Sequence, residues 1–171
     1  MDVEVRPARA EELEAVGELT ARAYLDDGLL DYGEADGYAS VLRDARSRAE
    51  QSELLVAVDQ AADEVVGTVT FAPPDSPYAE LAGPGEGEFR MLAVRAGSRG
   101  HGVGETLVRW CTERARSLGL HRLRLSTKQD MSAAHRLYER LGFIRTPDRD
   151  WEPVPGTVLL AYALELTPGA E

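Results

Sequence analysis

The most informative stretch of this chain is EFRMLAV at residues 88–94, followed closely by RGHGVG at residues 99–104. It passes from a short apolar run through an arginine and three alternating glycines into a helical pattern of apolar residues. Glycine permits a positive φ and lets an anion approach the backbone, because it has no Cβ. The first turn of a helix adds unpaired N–H donors and the positive end of a dipole. The stretch therefore predicts a strand, an anion-binding turn and a helix in succession, although an ordinary strand-to-helix turn has the same composition.

Two common phosphate-binding loops do not fit this turn. A Walker loop needs lysine and then serine or threonine after its last glycine, but Gly102 is followed by Val103 and Gly104. The dinucleotide fingerprint Gly-x-Gly-x-x-Gly needs its third glycine where this chain has Glu105 or Leu107. The turn must therefore be compared with a different kind of anion site.

A second segment, AHRLYERLGF at residues 134–143, predicts a helix that ends at a glycine. Its Leu-Tyr-x-x-x-Gly-Phe ending resembles one signature of the GNAT superfamily, the Gcn5-related N-acetyltransferases. The pattern Arg99-x-x-Gly102-x-Gly104 resembles the acyl-coenzyme A loop of the same superfamily. The two matches stand in the expected order, and the resemblance is sharp over residues 88–143.

Hydrophobic periodicity predicts seven strands and four helices along the chain. The strands are expected at residues 3–5, 53–58, 65–71, 88–94, 121–126, 143–146 and 157–165, and the helices at 8–24, 39–49, 103–118 and 132–141. The resemblance implies an α/β (α+β) fold, with a mixed, mostly antiparallel sheet of six to seven strands and four helices on its two faces. With 171 residues, the chain is expected to form a single domain over residues 1–171.

Charge is distributed unevenly between the two halves of the chain. Residues 1–88 contain 21 acidic side chains against six arginines, whereas residues 89–171 contain nine acidic against 13 basic side chains. A basic second half suits a polyanionic cofactor, and an acidic first half suits a cationic amine. The acidic residues are equally well explained as a device that keeps surface helices soluble.

Composition also excludes several classes of partner and site. The chain has no basic stripe for nucleic acid and no apolar run of the roughly 20 residues that span a bilayer. Its three histidines and one cysteine form no ligand cluster, so no metal site is expected, and Cys111 is predicted to belong to the core. We expect a cytoplasmic protein that binds neither nucleic acid nor membranes, and a homodimer is possible.

The resemblance implies three catalytic groups. Glu88 opens the strand at 88–94, where some members of the superfamily place a catalytic glutamate that removes the proton from the amine; the alternative is a solvated glutamate at the strand edge. Tyr138 is the candidate general acid near the coenzyme sulfur; the alternative is packing, since it shares an apolar face with Leu137 and Leu141. A backbone N–H near residues 92–94 would bind the thioester carbonyl.

The resemblance further implies that acetyl-CoA is the acyl donor. The residues expected to bind it are Leu92, Ala93, Val94, Arg99, Gly100, His101, Gly102, Val103, Gly104, Glu105, Met131, Ala134 and Tyr138. Met131 departs from the family pattern, because many relatives have an asparagine there that hydrogen-bonds the pantetheine arm. Methionine cannot make that bond, so this one contact is in doubt.

The acceptor is the least defined part of the reading. The resemblance places Tyr24, Asp27, Tyr32, Tyr78 and Trp151 in segments that wall the acceptor cleft. Their rings and carboxylates suit a cationic small-molecule or peptide amine, although the same residues are ordinary in loops.

We therefore expect an N-acetyltransferase that moves an acetyl group from acetyl-CoA to a primary amine by direct attack in a ternary complex. The alternative is a non-catalytic acyl-CoA-binding sensor or interaction domain. A transferase for an alcohol acceptor is a third reading.

Overall fold

The structure of the protein, a computed structural model, describes residues 1–26, 28–30 and 33–166, without the side chain of residue 34. Eight strands are described: β1 (Val3–Pro7), β2 (Glu53–Asp59), β3 (Glu64–Ala72), β4 (Glu86–Val94), β5 (Arg122–Lys128), β6 (Ile144–Arg145), β7 (Trp151–Val154) and β8 (Thr157–Glu165). Five α-helices accompany them: α1 (Leu13–Leu25), α2 (Gly37–Arg43), α3 (Ala45–Gln51), α4 (Val103–Ser117) and α5 (Ser132–Arg140). No described helix is long and apolar enough to cross a membrane.

All eight strands belong to one sheet of order β1-β2-β3-β4-β5-β8-β6, with β7 paired to β8. Every described pairing is antiparallel except that of β4 with β5. The predicted α/β class with a mixed, mostly antiparallel sheet is confirmed. The counts differ slightly, with eight strands instead of six to seven and five helices instead of four.

Two local features account for the different counts. The single helix expected at 39–49 is wrong, because Asp44 leaves the helical region (φ −84°, ψ 67°) and separates α2 from α3. The Asp44 carboxylate then accepts a hydrogen bond from the backbone N–H of Ser47 at 3.1 Å, which caps α3. The extra strand β7 forms where Trp151 pairs with Leu159 of β8.

The parallel pairing of β4 with β5 is short. It runs from Glu86 opposite Arg122 to Phe89 opposite Leu125 and then ends. Beyond that point β4 remains paired only with β3, and β5 only with β8. The two strand ends, residues 90–94 and 126–128, therefore form an opening in the middle of the sheet, which we call the fork.

A β-bulge in β4 lies inside the fork. One residue of β3 faces two residues of β4, Met91 and Leu92. Met91 has φ of +57°, which is uncommon for a side chain other than glycine. Bulges of this kind redirect the side chains that follow them and are frequent next to active sites.

Helices cover both faces of the sheet. The face under α4 and α5 has a core built around Phe71, Phe89, Leu107, Leu125 and Tyr138. On the opposite face, α1 and α3 pack on β2 through buried aliphatic side chains. There α1 and α2 also enclose a second apolar cluster that includes Tyr24, Tyr38 and Met91.

Helices α1 and α2 approach each other closely at Gly17. A Cβ at this position would lie 2.2 Å from the backbone carbonyl oxygen of Arg43, at the end of α2. Only glycine permits this approach, which holds α2 against α1 and brings the rings of Tyr24 and Tyr38 within 6.1 Å.

Gly17→Ala is expected to destabilise the protein by about 2 kcal/mol, because the methyl group meets immovable backbone. Alanine is otherwise the better helix former and would raise the free energy of unfolding, so a lower value indicates the clash with the backbone. Gly37→Ala is the matched control, since a Cβ there meets nothing within 4 Å. Urea unfolding measures both variants, and equal stabilities would contradict the close packing.

Candidate active site

The turn before α4 presents unpaired backbone donors. Gly100 and Gly102 have φ of 81° and 80°, so each adopts the left-handed conformation that favours glycine. Gly102 is the N-cap and accepts the first helical hydrogen bond, from the N–H of Thr106 at 3.0 Å. No described side chain caps the turn, so the N–H groups of residues 103–105 remain available to an anion.

A cavity of about 640 Å³ opens directly onto this turn. Its walls are the bulged end of β4, the first turn of α4 and the first turn of α5. Ala23, Tyr24 and Leu29, which lie on the opposite face of the sheet, also line it. Residues from both faces of the sheet therefore line the cavity beside the bulged end of β4, and its volume is typical of a site for a small organic ligand.

The residues predicted to bind the cofactor converge on this cavity. Eleven of the thirteen line it; the exceptions are His101, which is exposed, and Tyr138, which is buried nearby. Met131, the residue that departs from the family pattern, lies in its wall. The binding role of each of these residues stays a prediction.

Sequence reasoning missed one face of α5. Ala133, Leu137 and Arg140 share a helical stripe with Ala134, and all four line the cavity. The Arg140 guanidinium lies 2.7 Å from the Glu105 carboxylate, which joins the end of α5 to the first turn of α4. The spacing of 133, 134, 137 and 140 would have indicated this stripe.

Glu88 lies deeper than the sequence indicated. Strand β4 begins at Glu86, and Glu88 is completely buried, so it neither opens the strand nor sits at a solvated edge. Its Oε1 accepts hydrogen bonds from the N–H groups of Leu81 (2.7 Å) and Ala82 (3.1 Å), while Oε2 has no partner in the part of the chain that the structure describes. Burial raises the pKa of Glu88 to about 7, despite the opposing effects of these hydrogen bonds and of Arg90.

Glu86 lies on the same face of β4, two residues earlier, yet its pKa is shifted in the opposite direction. Burial would raise its pKa, but hydrogen bonds from Arg124, the N–H of Gly83 and Arg122 outweigh burial and lower the pKa to about 2. One glutamate is therefore held as a carboxylate in an ion pair, and the other can exchange a proton near neutral pH. Such divergence on one strand is typical of a catalytic site.

Tyr138 is packed among aromatic rings on the α5 side of the fork. Its ring lies 5.8 Å from that of Phe89 and 6.1 Å from that of Phe143, and only 3% of the residue is exposed. Burial raises the pKa of the phenol, so the hydroxyl stays protonated. Both predicted roles, packing and proton donation, are compatible with this position.

The residues predicted to bind the acceptor divide into three groups. Tyr24 lines the cavity. Tyr78 and Trp151 do not line it but contact Arg90, whose guanidinium lies 6.0 Å and 5.0 Å from their ring centroids. Asp27 and Tyr32 lie outside the described residues. Sequence reasoning did not single out Arg90, because an arginine within a strand carries no local signal.

Comparisons with known proteins agree with this geometry. The sequence model of the Acetyltransferase (GNAT) family matches residues 13–143. A search of curated proteins finds no match.

Solved structures show the same fold at low sequence identity. A GNAT-family acetyltransferase from Staphylococcus aureus Mu50 has a TM-score of 0.75 at 14% identity, covering 96% of this chain and 99% of that one. The PaiA N-acetyltransferase from Thermoplasma acidophilum, in complex with coenzyme A, has a TM-score of 0.68 at 16% identity. The match covers 94% of this chain and 98% of that one. A ribosomal-protein-alanine N-acetyltransferase from Brucella melitensis has a TM-score of 0.67 at 20% identity, and the match covers 95% of this chain and 99% of that one.

Glu88 is expected to make stability depend on pH. Its folded-state pKa of about 7 lies above the ordinary 4.5, so the folded protein holds an extra proton between these values and loses stability as the pH rises through them. From pH 5 to pH 8.5 the wild type should lose about 2 to 3 kcal/mol relative to Glu88→Gln.

Urea unfolding at the two pH values measures this difference. Glu11→Gln, which changes an exposed glutamate, is the control, and its free energy of unfolding should depend on pH as that of the wild type does. A Glu88→Gln variant that also follows the wild type would show that Glu88 is not a buried acid.

Proposed function

The chain belongs to the acetyltransferase (GNAT) family, and on this premise we propose that it transfers an acetyl group from acetyl-CoA to an amine. Both substrates are bound together, and the amine attacks the thioester directly. The proposal rests on the cavity that begins at the uncapped turn of α4 and extends beside the bulged end of β4.

The uncapped turn suits the pyrophosphate of the coenzyme. The N–H groups of residues 103–105 and the positive end of the α4 dipole favour a doubly charged group. Arg99 lines the same end of the cavity and adds positive charge, whereas the charge of Arg140 is balanced by its ion pair with Glu105. From there the pantetheine arm extends along Leu92 and Leu137 into the fork, where the thioester comes to rest.

The fork supplies donors for the thioester carbonyl. Because β5 does not pair with β4 beyond Phe89, the β4 backbone groups that face the fork have no partner strand there. An N–H among residues 92–94 can then donate to the carbonyl oxygen, whose negative charge grows as the amine attacks. The strained bulge at Met91 sets the direction in which these groups point.

Glu88 receives the proton that the ammonium must lose. Its unpartnered Oε2 lies on the α1 side of the sheet, and its pKa of about 7 leaves a usable fraction ionised at neutral pH. Glu88 is not in the cavity wall, so the proton reaches it through water.

The protons then balance. The amine nitrogen forms an amide bond with the acetyl carbon, the carbon–sulfur bond breaks, and the thiolate takes a proton from the Tyr138 hydroxyl. The proton that the nitrogen loses on forming the amide passes through water to the Tyr138 oxygen and restores the phenol. Cys111 does not take part, since it is completely buried and burial raises the pKa of its thiol. Direct attack therefore needs no acyl-enzyme intermediate.

Gly102→Glu tests the coenzyme site. The added carboxylate would repel a pyrophosphate at the turn, so calorimetry should show acetyl-CoA affinity reduced about 100-fold or more. Gly119→Glu is the matched control, because this glycine at the other end of α4 also has positive φ (75°) and open space around it. Equal affinities in the two variants would remove the turn from the coenzyme site.

Tyr138→Phe tests the proposed acid. It removes only the hydroxyl, so turnover in a thiol-release assay should fall about 10- to 100-fold while the KM for acetyl-CoA and the stability stay nearly unchanged. Unchanged turnover would reduce Tyr138 to a packing residue. Saturable acetyl-CoA binding by the wild type, without thiol release for any amine, would instead identify an acyl-CoA sensor.

A further inference from the structure

A group of buried cationic and indole side chains lies between helices α1–α2 and the middle of the sheet, beside the catalytic cavity. Among the described residues, Arg48, Arg90 and Trp151 each have a buried side-chain N–H without an acceptor. We call this group, together with Tyr38 and Tyr78, the arginine chamber. Orphan donors of this kind are rare in folded proteins and cost free energy unless a ligand meets them.

Arg90 is the central residue of the chamber. Only 5% of it is exposed, and no described carboxylate lies within ion-pair distance of its guanidinium. Its single hydrogen bond, to the Tyr38 hydroxyl, is long at 3.5 Å. Arg124, which is buried to a similar degree, instead forms a salt bridge with Glu86 at 2.8 Å. The protein can therefore pair a buried arginine when the fold requires only stability, and it has not done so for Arg90.

The aromatic contacts of Arg90 leave its donors accessible in one direction. Its guanidinium lies 5.0 Å from the centroid of the Trp151 ring and 6.0 Å from that of Tyr78. Stacking of this kind uses the faces of the guanidinium plane and not its N–H edge. The edge that carries Nε therefore remains free for a planar, bidentate partner, which is the geometry of a carboxylate.

Arg48 adds a second buried cation. It is completely buried and donates to the carbonyl oxygen of Val41 at 2.9 Å and to Thr20 at 3.5 Å. Burial lowers its pKa, and interactions with Tyr78, Tyr38 and Asp44 oppose that effect. The Asp44 carboxylate caps α3 and forms no ion pair with Arg48. Arg48 and Arg90 therefore both interact with Tyr38, and neither forms an ion pair with a described residue. The anion close to Arg90 is Glu88, whose pKa the charge of Arg90 lowers.

The chamber adjoins the reacting end of the cavity. Tyr24 lines the cavity and also contacts Tyr38 edge-on, so its ring joins the cavity wall to the chamber residues. Arg90 precedes Leu92 by two residues along β4, a distance of about 7 Å. A carboxylate bound at Arg90 would thus place an amine on an adjacent carbon near the fork, within reach of the thioester.

We propose that the acceptor is a free amino acid or a close analogue, whose carboxylate binds Arg90 with Arg48 behind it. This inference rests on the proposed acetyl transfer and names its substrate class. A polyamine has no anion for the chamber and would bring further positive charge to two unpaired guanidinium groups. A peptide acceptor has its carboxylate far from its amino terminus, so it cannot satisfy both sites at once.

The test compares proteinogenic amino acids with their carboxamides as acceptors in a thiol-release assay with acetyl-CoA. For the preferred side chain, kcat/KM is expected to be about 100-fold higher for the amino acid, because only it has the anion. Arg90→Gln should reduce the ratio of the two kcat/KM values from about 100 to about 1, because its effect on Glu88 is common to both acceptors and only the amino acid loses its anion contact. Arg90→Lys keeps the charge but loses the bidentate geometry of the guanidinium, so its kcat/KM for the amino acid should lie between those of the wild type and of Arg90→Gln.

Two controls separate this site from the transfer reaction. Arg116→Gln, which changes an exposed arginine at the far end of α4, should behave as wild type. Calorimetric titration of the same amino acids into the protein saturated with coenzyme A should show binding that Arg90→Gln abolishes, whether or not transfer occurs.

The outcomes are distinct. Acid and carboxamide used equally well by an active enzyme would overturn the chamber and leave the transfer function intact. Arg90-dependent binding of amino acids without thiol release would support the chamber and contradict the transfer. If no amino acid bound or reacted, the proposed acceptor class would be wrong.

Discussion

The structure depends on the point at which β4 and β5 stop pairing. Their parallel ladder ends at Phe89 and Leu125, and a bulge at Met91 then turns β4 away. An interrupted sheet would normally leave backbone groups without partners, at a cost comparable to lost hydrogen bonds. Here the unpaired end of β4 instead lines a cavity that starts at the uncapped turn of α4 and reaches Tyr24 on the other face. The interruption of the sheet therefore also shapes the candidate site.

Electrostatics on the α1 side of the sheet depend on which charges have partners. Glu86 is paired with two arginines and stays ionised, whereas Glu88 has backbone donors alone and titrates near neutral pH. Arg124 has a carboxylate, whereas Arg90 has aromatic rings. In both comparisons the unpaired residue lies nearer the fork. Glu86 and Arg124 are neutralised by ion pairs within the protein, whereas Glu88 and Arg90, nearer the fork, form none with the described residues.

The sequence was informative where local chemistry determines structure. Alternating glycines next to a helical pattern indicated the turn at 99–104, and the spacing of apolar residues placed α4, α5 and most strands. The break at Asp44 and the bulge at Met91 were missed, because both depend on packing between elements distant in the chain. The burial of Glu88 and the isolation of Arg90 were missed for the same reason: the segments that cover them, near residues 38, 81 and 151, are brought there by the fold alone.

The most direct test of this account is a crystal structure of the protein with acetyl-CoA. We expect the pyrophosphate at the N–H groups of residues 103–105 and the pantetheine arm within the fork. The thioester carbonyl should then lie within hydrogen-bond distance of a β4 N–H among residues 92–94. Acetyl-CoA bound elsewhere, or a fork closed by continued β4–β5 pairing, would contradict it.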